Sequence, residues 1–258
     1  MKKTGIMLLT ACLLFSFSMT AVGAQSNELS WYCTRQKAHR QAIAAPELRF
    51  VEELGSYYID HAHGDSDSDR VVYLTFDMGY VNENVTKILD TLRETDVAAA
   101  FFVLKHPVEK DTALVKRLVE DGHFVCNHSA THPNLAGASK EQIRCEIKTL
   151  EAACQNAGIA LKPYFRPPEG RFSKEMLKCV QEMGYKTVFW SFAYADWDND
   201  KQPSPDKAMQ CVMDNIHNGA VLLLHPTSAT NAAILPRVIA ELKAQGYRFG
   251  RLDELCGD

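Results

Sequence analysis

The sequence is short of positive charge. Its 28 lysines and arginines are outnumbered by 32 aspartates and glutamates, a formal net charge of −4. Setting aside Lys2 and Lys3 at the N-terminus takes that value from −4 to −6. A chain with this balance offers no basic patch to a nucleic acid backbone or an anionic membrane surface, which argues against both as partners. No CxxC spacing occurs among the eight cysteines. With Cys12 set aside, Cys33, Cys126, Cys145, Cys154, Cys179, Cys211 and Cys256 remain, an odd number that leaves at least one outside any intramolecular disulfide. In a core of this size most of them read as small buried apolar residues rather than staples. No linker, repeat or low-complexity run divides residues 70–255, so a single domain is expected there, with no obligate protein partner evident.

What is present begins with an address. Lys2-Lys3, the apolar stretch from Ile6 to about Val22, and Val22-Gly23-Ala24 before Gln25 have the order of a secretory signal over residues 1–24, cleaved after Ala24. An uncleaved membrane anchor is the alternative, because the stretch approaches spanning length. The expectation is a secreted protein at the cell wall. Residues 25–69 carry little periodicity and read as an N-terminal extension packed outside the main domain. Within it, His61-Ala62-His63-Gly64 with Asp65, Asp67 and Asp69 has turn composition.

From Arg70 strands and helices alternate. Val71–Phe76, Ala98–Leu104, His123–Cys126, Tyr164-Phe165, Thr187–Phe192, Ala220–Leu224 and Tyr247–Phe249 read as seven strands. Between them run apolar residues at helical spacing, such as Val85, Ile88, Leu89 and Leu92. Ser139 to Gln142 is a capping box, and Gly122, Gly158, Gly184, Gly219 and Gly246 are stops. Near-continuous apolar strands alternating with helices predict a parallel sheet covered by helices. Periodicity alone fits either a closed barrel or an open doubly wound sheet. In both, the residues just after each strand share one face, where active sites are built. Those residues are Asp77, Asn127-His128 with His132, Arg166, Asp196-Trp197 and His225. Singly, each reads as a cap or a solvated residue; their convergence from five strands points to a site.

Five segments carry a family resemblance. Thr75-Phe76-Asp77-Met78-Gly79-Tyr80, His128-Ser129-Ala130-Thr131-His132-Pro133, Phe165-Arg166-Pro167-Pro168-Glu169-Gly170, Asp196-Trp197 and Leu222-Leu223-Leu224-His225 occur in one order. Together they resemble the motifs of the polysaccharide deacetylases (the NodB-homology group, carbohydrate esterase family four), over residues 70–258. The resemblance implies a distorted (β/α) barrel of about seven parallel strands and a metal-assisted hydrolase that cuts an acetamide. It gives Asp77 the role of base, His128 and His132 those of ligands to a divalent metal ion such as Zn²⁺, Arg166 that of holding Asp77, and His225 that of general acid.

Each residue type suits its role. A divalent ion polarises a poor electrophile and activates water, and neutral imidazoles ligate it with positions left open. A guanidinium fork orients a carboxylate, and histidine donates a proton near neutral pH. Backbone N–H groups around Gly79-Tyr80 are candidate oxyanion donors. Tyr80, Pro168, Gly170 and Trp197 are candidate substrate contacts, and Leu222 and Leu224 are candidates to line a pocket for the acetyl methyl.

Two positions depart from the family. Met78 stands where the family carries its third, acidic ligand, and a thioether is a poor partner for zinc. The acid-tuning aspartate falls at Ala193, with Asp196 as its possible substitute. The wording of the segments resembles the branch that deacetylates N-acetylmuramic acid in peptidoglycan glycan strands and leads to muramic-δ-lactam of the spore cortex. A lactyl carboxylate calls for a cation, with Arg171 and Lys105 as candidates. The alternatives are an N-acetylglucosamine or chitin-type deacetylase and a catalytically inactive protein that binds wall glycan.

Overall fold

The computed structural model describes residues 27–257; the leader lies outside them. The strands are β1 (Leu29–Ser30), β2 (Cys33–Thr34), β3 (Ile43–Ala44), β4 (Ser56–Tyr57), β5 (Arg70–Met78), β6 (Ala100–Val103), β7 (Phe124–Asn127), β8 (Leu161–Phe165), β9 (Arg171–Phe172), β10 (Lys186–Val188), β11 (Phe192–Ala193), β12 (Ala220–Leu224) and β13 (Tyr247–Gly250). The helices are α1 (Phe50–Glu53), α2 (Glu83–Glu94), α3 (Lys105–Lys110), α4 (Thr112–Glu120), α5 (Lys140–Ala157), α6 (Lys174–Glu182), α7 (Pro205–Asn215), α8 (Ala229–Ala244) and α9 (Leu252–Cys256). Their starts follow local chemistry. Ser139 and Gln142 close the capping box of α5, which ends on a left-handed Gly158. Ser173, Ser204 and Ser228 cap α6, α7 and α8.

The main sheet is parallel, in the order β11-β12-β5-β6-β7-β8-β10-β4, with β13 on the lower half of β5. Its two ends share one stretch of chain. Thr187 and Val188 pair with β8 and β4, whereas Phe192 and Ala193, a few residues on, pair with β12. The sheet therefore curls into the distorted (β/α) barrel of a single domain. The expected strand Thr187–Phe192 is thus broken in two, because its halves must reach different neighbours.

Residues 27–69 do not simply lie outside. Strand β4 joins the sheet beside β10, Ile59 bridges Ala220, and β1 pairs with β9. Trp31 is buried and stacks on Phe189 with ring centroids 4.5 Å apart. Periodicity missed this because two-residue strands are too short to show a period.

Side-chain parity on β5 decides what faces the site. Val72, Leu74, Phe76 and Met78 pack outward in one core cluster with α2, α4 and α8. Val71 and Tyr73 point into the barrel, where Leu252, Leu255 and Cys256 of α9 plug the lower end. A third cluster lies under α5, α6 and the extension. Cys126, Cys154 and Cys179 are buried among these apolar groups, none in a disulfide. The plug leaves the opposite end of the barrel, where Asp77 continues the inward parity, open to build a site.

Candidate active site

At the carboxyl ends of the strands lies a cavity of about 540 Å³, bordered by Asp77, His128, His132, Trp190, Leu223 and His225, with Glu169, Gly170, Ala193, Tyr194 and Trp197 completing the wall. Arg166, wholly buried, sits beneath it. Its Nη1 donates to Asp77 Oδ1 at 2.8 Å. Its Nε and Nη2 donate to the carbonyls of Val188 and Phe189 at 2.9 and 3.1 Å. The guanidinium also lies 4.1 Å from the Phe102 ring centroid. Burial alone would push the Asp77 carboxyl upward, but Arg166, helped by His128 and His225, outweighs it and holds the carboxyl below its usual range. Asp77 is therefore an anion at neutral pH, one oxygen taken by Arg166 and the other directed towards His128.

His128 Nδ1 donates to the carbonyl of Arg166 at 2.8 Å, which leaves the Nε2 lone pair free, 3.5 Å from Asp77 Oδ2. Burial lowers this imidazole to about 4, against the opposing pull of Asp77, so it is neutral. The turn after β7 then brings His132 back. Ser129 and His132 both adopt left-handed backbone, φ 71° and 63°, a strained geometry held by surrounding bonds. Asn127 Oδ1 accepts from Ser129 N–H, Ser129 Oγ from His132 N–H, and Glu146 from the N–H groups of Ala130 and Thr131. The two rings stand 4.9 Å apart.

Two imidazoles, that of His128 neutral and oriented by a backbone carbonyl, fit a borderline divalent ion. They are two candidate ligands, not three: no cluster of three or more His, Cys, Asp or Glu able to hold a metal occurs among the described residues. Met78 cannot compensate, because it points outward into the helix layer.

At the end of the neighbouring strand β12, His225 Nδ1 donates to Asp196 Oδ1 at 2.8 Å, and its backbone N–H donates to Asp196 Oδ2 at 2.8 Å. Asp196 is wholly buried. Burial would lower His225, but the hydrogen bond and charge of Asp196, with Asp77, raise it above the usual histidine value. Asp196 thus gives His225 the carboxylate partner that Ala193 does not supply. Trp197, 63% exposed, stands edge-on to His225 at 6.5 Å.

The structure departs from several expectations. Leu222 and Leu224 do not line the cavity. In the ladder Leu222 stands opposite Leu74 and Leu224 opposite Phe76, both outward-facing, so the inward residue is Leu223, opposite Thr75. Arg171 borders no part of the cavity: it is held by Glu28 and Glu169, each at 2.9 Å. Lys105 opens α3 and pairs with Glu109. Pro168 is buried behind the wall, and Tyr80 stands exposed beyond it, its hydroxyl bonded to Asn199. Gly170 does line the cavity, at φ 65°, and a Cβ there would lie 2.7 Å from the Trp190 ring. Trp190, Tyr194 and Leu223 escaped the sequence reading. Alternation along β12 was the available signal for Leu223; for the other two only the fold supplies one.

An inward carboxylate paired with a buried arginine, two neighbouring imidazoles and a third imidazole backed by an aspartate, on the rim of a curled parallel sheet, define a hydrolase site. The chain belongs to the polysaccharide deacetylases, carbohydrate esterase family 4. The polysaccharide deacetylase family profile matches residues 64–188. The peptidoglycan-N-acetylmuramic acid deacetylase PdaA of Bacillus subtilis is 34% identical over 95% of this chain and 92% of its own length. The solved PdaA structure superposes with a TM-score of 0.82 at 35% identity, covering 89% of this chain and 97% of that one. A peptidoglycan-N-acetylglucosamine deacetylase of Bacillus cereus is 37% identical over 71% of this chain and 67% of its own length. A family 4 pseudoenzyme from Bacillus anthracis also matches, with a TM-score of 0.68 at 33% identity over 73% of this chain and 66% of that one. Deacetylases of the family are generally metal-dependent.

Proposed function

We propose that this protein is an exported de-N-acetylase of peptidoglycan glycan strands, acting on N-acetylmuramic acid and so leading to muramic-δ-lactam. The observation that carries the hydrolytic reading is the presence of two ionisable pairs, Asp77–Arg166 and His225–Asp196, with Asp77 and His225 at the ends of adjacent strands and both bordering one cavity. The muramic preference leans on similarity to PdaA over nearly the whole chain, since no lysine or arginine borders the cavity among the described residues. Export leans on the leader composition.

In this reading His128 and His132 would hold a divalent ion, Zn²⁺ by their ligand chemistry, which when bound would supply polarisation of the acetyl carbonyl and activation of water. Asp77, kept anionic by Arg166, takes the water's proton. His225, kept protonated by Asp196, delivers a proton to the departing amine, which would otherwise leave as a poor, anionic group. Trp190 and Leu223 offer apolar surface to the acetyl methyl, and exposed Trp197 offers a face to the sugar.

The test is acetate release and lactam formation, scored by mass on peptide-stripped glycan strands. Asp77→Asn and His225→Ala should each abolish release while circular dichroism stays that of the parent. Near-parental turnover in either variant would end the assignment. Release from chitooligosaccharides but not from stripped glycan would move the substrate to N-acetylglucosamine. A second reading, a glycan-binding protein without turnover, is favoured by the outward Met78 and by the family's pseudoenzyme. Glycan retention with no acetate released at any metal loading would establish it.

A further inference from the structure

Asn231 lies on the first turn of α8, outside all five sequence motifs, and is almost wholly buried. Its Nδ2 donates to Asp196 Oδ2 at 2.6 Å and to the carbonyl of His225 at 3.0 Å. Both partners can only accept, so the amide has one possible orientation, with Oδ1 turned away from them. That oxygen meets the hydroxyl of Tyr194, which must donate to it. Tyr194 is itself part of the cavity wall. Asn231 N–H is fixed in turn by the Ser228 hydroxyl at 3.0 Å, the N-cap of the same helix. A continuous chain of directional bonds therefore runs from the cavity wall through Tyr194 and Asn231 to Asp196 and on to His225.

From this geometry we infer that Asn231, locked in orientation by Tyr194, is a positioning residue that fixes the Asp196 carboxylate and through it the ring orientation and proton of His225. Asp196 Oδ1 has one donor, His225 Nδ1, and Oδ2 has two, the His225 backbone N–H and Asn231 Nδ2. Without Asn231 the carboxylate keeps bonds to His225 alone. With it, the carboxylate is anchored to α8, a rigid element, and His225 is aimed from outside. The other charged groups acting on His225 are Asp77 and Arg166. Both belong to the other ionisable pair, and no hydrogen bond among the described residues joins either to Tyr194 or Asn231.

The inference rests on His225 being the acid, so its test needs a readout that does not depend on turnover. The pair of variants is Asn231→Leu, close in volume, and Tyr194→Phe, which removes only the hydroxyl and leaves Asn231 Oδ1 without its donor. The His225 imidazole titration by NMR should move to lower pH by about one unit or more in Asn231→Leu, and in the same direction by less in Tyr194→Phe. In acetate release, kcat should fall about tenfold with KM within about twofold of the parent, and the alkaline limb of the pH profile should move down with the NMR midpoint. Asn231→Gln, which keeps the donor on a longer arm, should recover part of the shift. A His225 titration superimposable on the parent's in both Asn231→Leu and Tyr194→Phe overturns the inference. A parent protein that releases no acetate, but whose His225 shifts in the variants, overturns the deacetylase reading and supports the positioning role.

Discussion

Replacing Arg166 by Met separates what its ion pair with Asp77 contributes to folding from what it contributes to turnover. The guanidinium is wholly buried, and its partner carboxylate is nearly so. Removing the cation leaves Asp77 as an uncompensated buried anion and strands the carbonyls of Val188 and Phe189 without their donors. Breaking one side of such a pair costs about 3–5 kcal/mol. For a domain of this size that is a fall of about 6–20 °C in Tm. Asp77→Asn should cost a similar amount by leaving the cation unpaired. The double variant has neither stranded charge, so its loss should be smaller than the sum of the singles by about 2–3 kcal/mol. Its activity, however, should remain absent, because no base remains. The assay is urea unfolding of the four proteins followed by fluorescence, alongside acetate release. Strict additivity of the two stability losses would refute the claim that the pair is directly coupled. Recovery of turnover in the double variant would refute Asp77 as base.

Three further outcomes follow from the same geometry. Turnover should trace a bell in pH. It is lost on acidification as the depressed Asp77 carboxyl takes a proton, and lost on the alkaline side as pH passes the raised value of His225. Asp196→Asn should draw that alkaline limb to lower pH, and an unmoved limb would show that Asp196 does not act on His225. Dialysis against a chelator should suppress acetate release and added Zn²⁺ should restore it, with His128→Ala and His132→Ala each weakening zinc uptake measured by calorimetry. Indifference to chelator would argue for metal-free hydrolysis. Gly170→Ala should lower Tm and turnover together, since its Cβ would meet the Trp190 ring at 2.7 Å from a left-handed backbone. An unaltered variant would show that the Trp190 wall is not rigid.

The chemistry was legible in sequence wherever a residue sits at a strand end, because topology sends every such end to one rim. Asp77, His128, Arg166, Asp196 and His225 were found that way, and the helix caps at Ser139 and Ser173 by their local signatures. Leu222 and Leu224 have the wrong parity: alternation along β12 shows that they and Leu223 face opposite ways, and the ladder with β5 shows that Leu223 is the inward one. Arg171 was chosen by spacing, but its charge had already been taken by Glu28 and Glu169, one of them far off in the chain. Asn231 lay beyond reach for the same reason. Its partners Tyr194 and Asp196 are 37 and 35 residues away, and a lone asparagine in a helical first turn reads as a cap.

Trp31 hooks the N-terminal segment to the catalytic wall, its backbone N–H on the Gly170 carbonyl and its indole N–H on that of Trp190. The unit that could be transplanted or redesigned is therefore longer than the stretch that carries the motifs. A fragment beginning at Arg70 would keep every reacting group yet lose the brace behind two residues that shape the acetyl's chamber. A protease nick anywhere between Thr34 and Ser56 should be felt first as slackened turnover, before the barrel itself gives way.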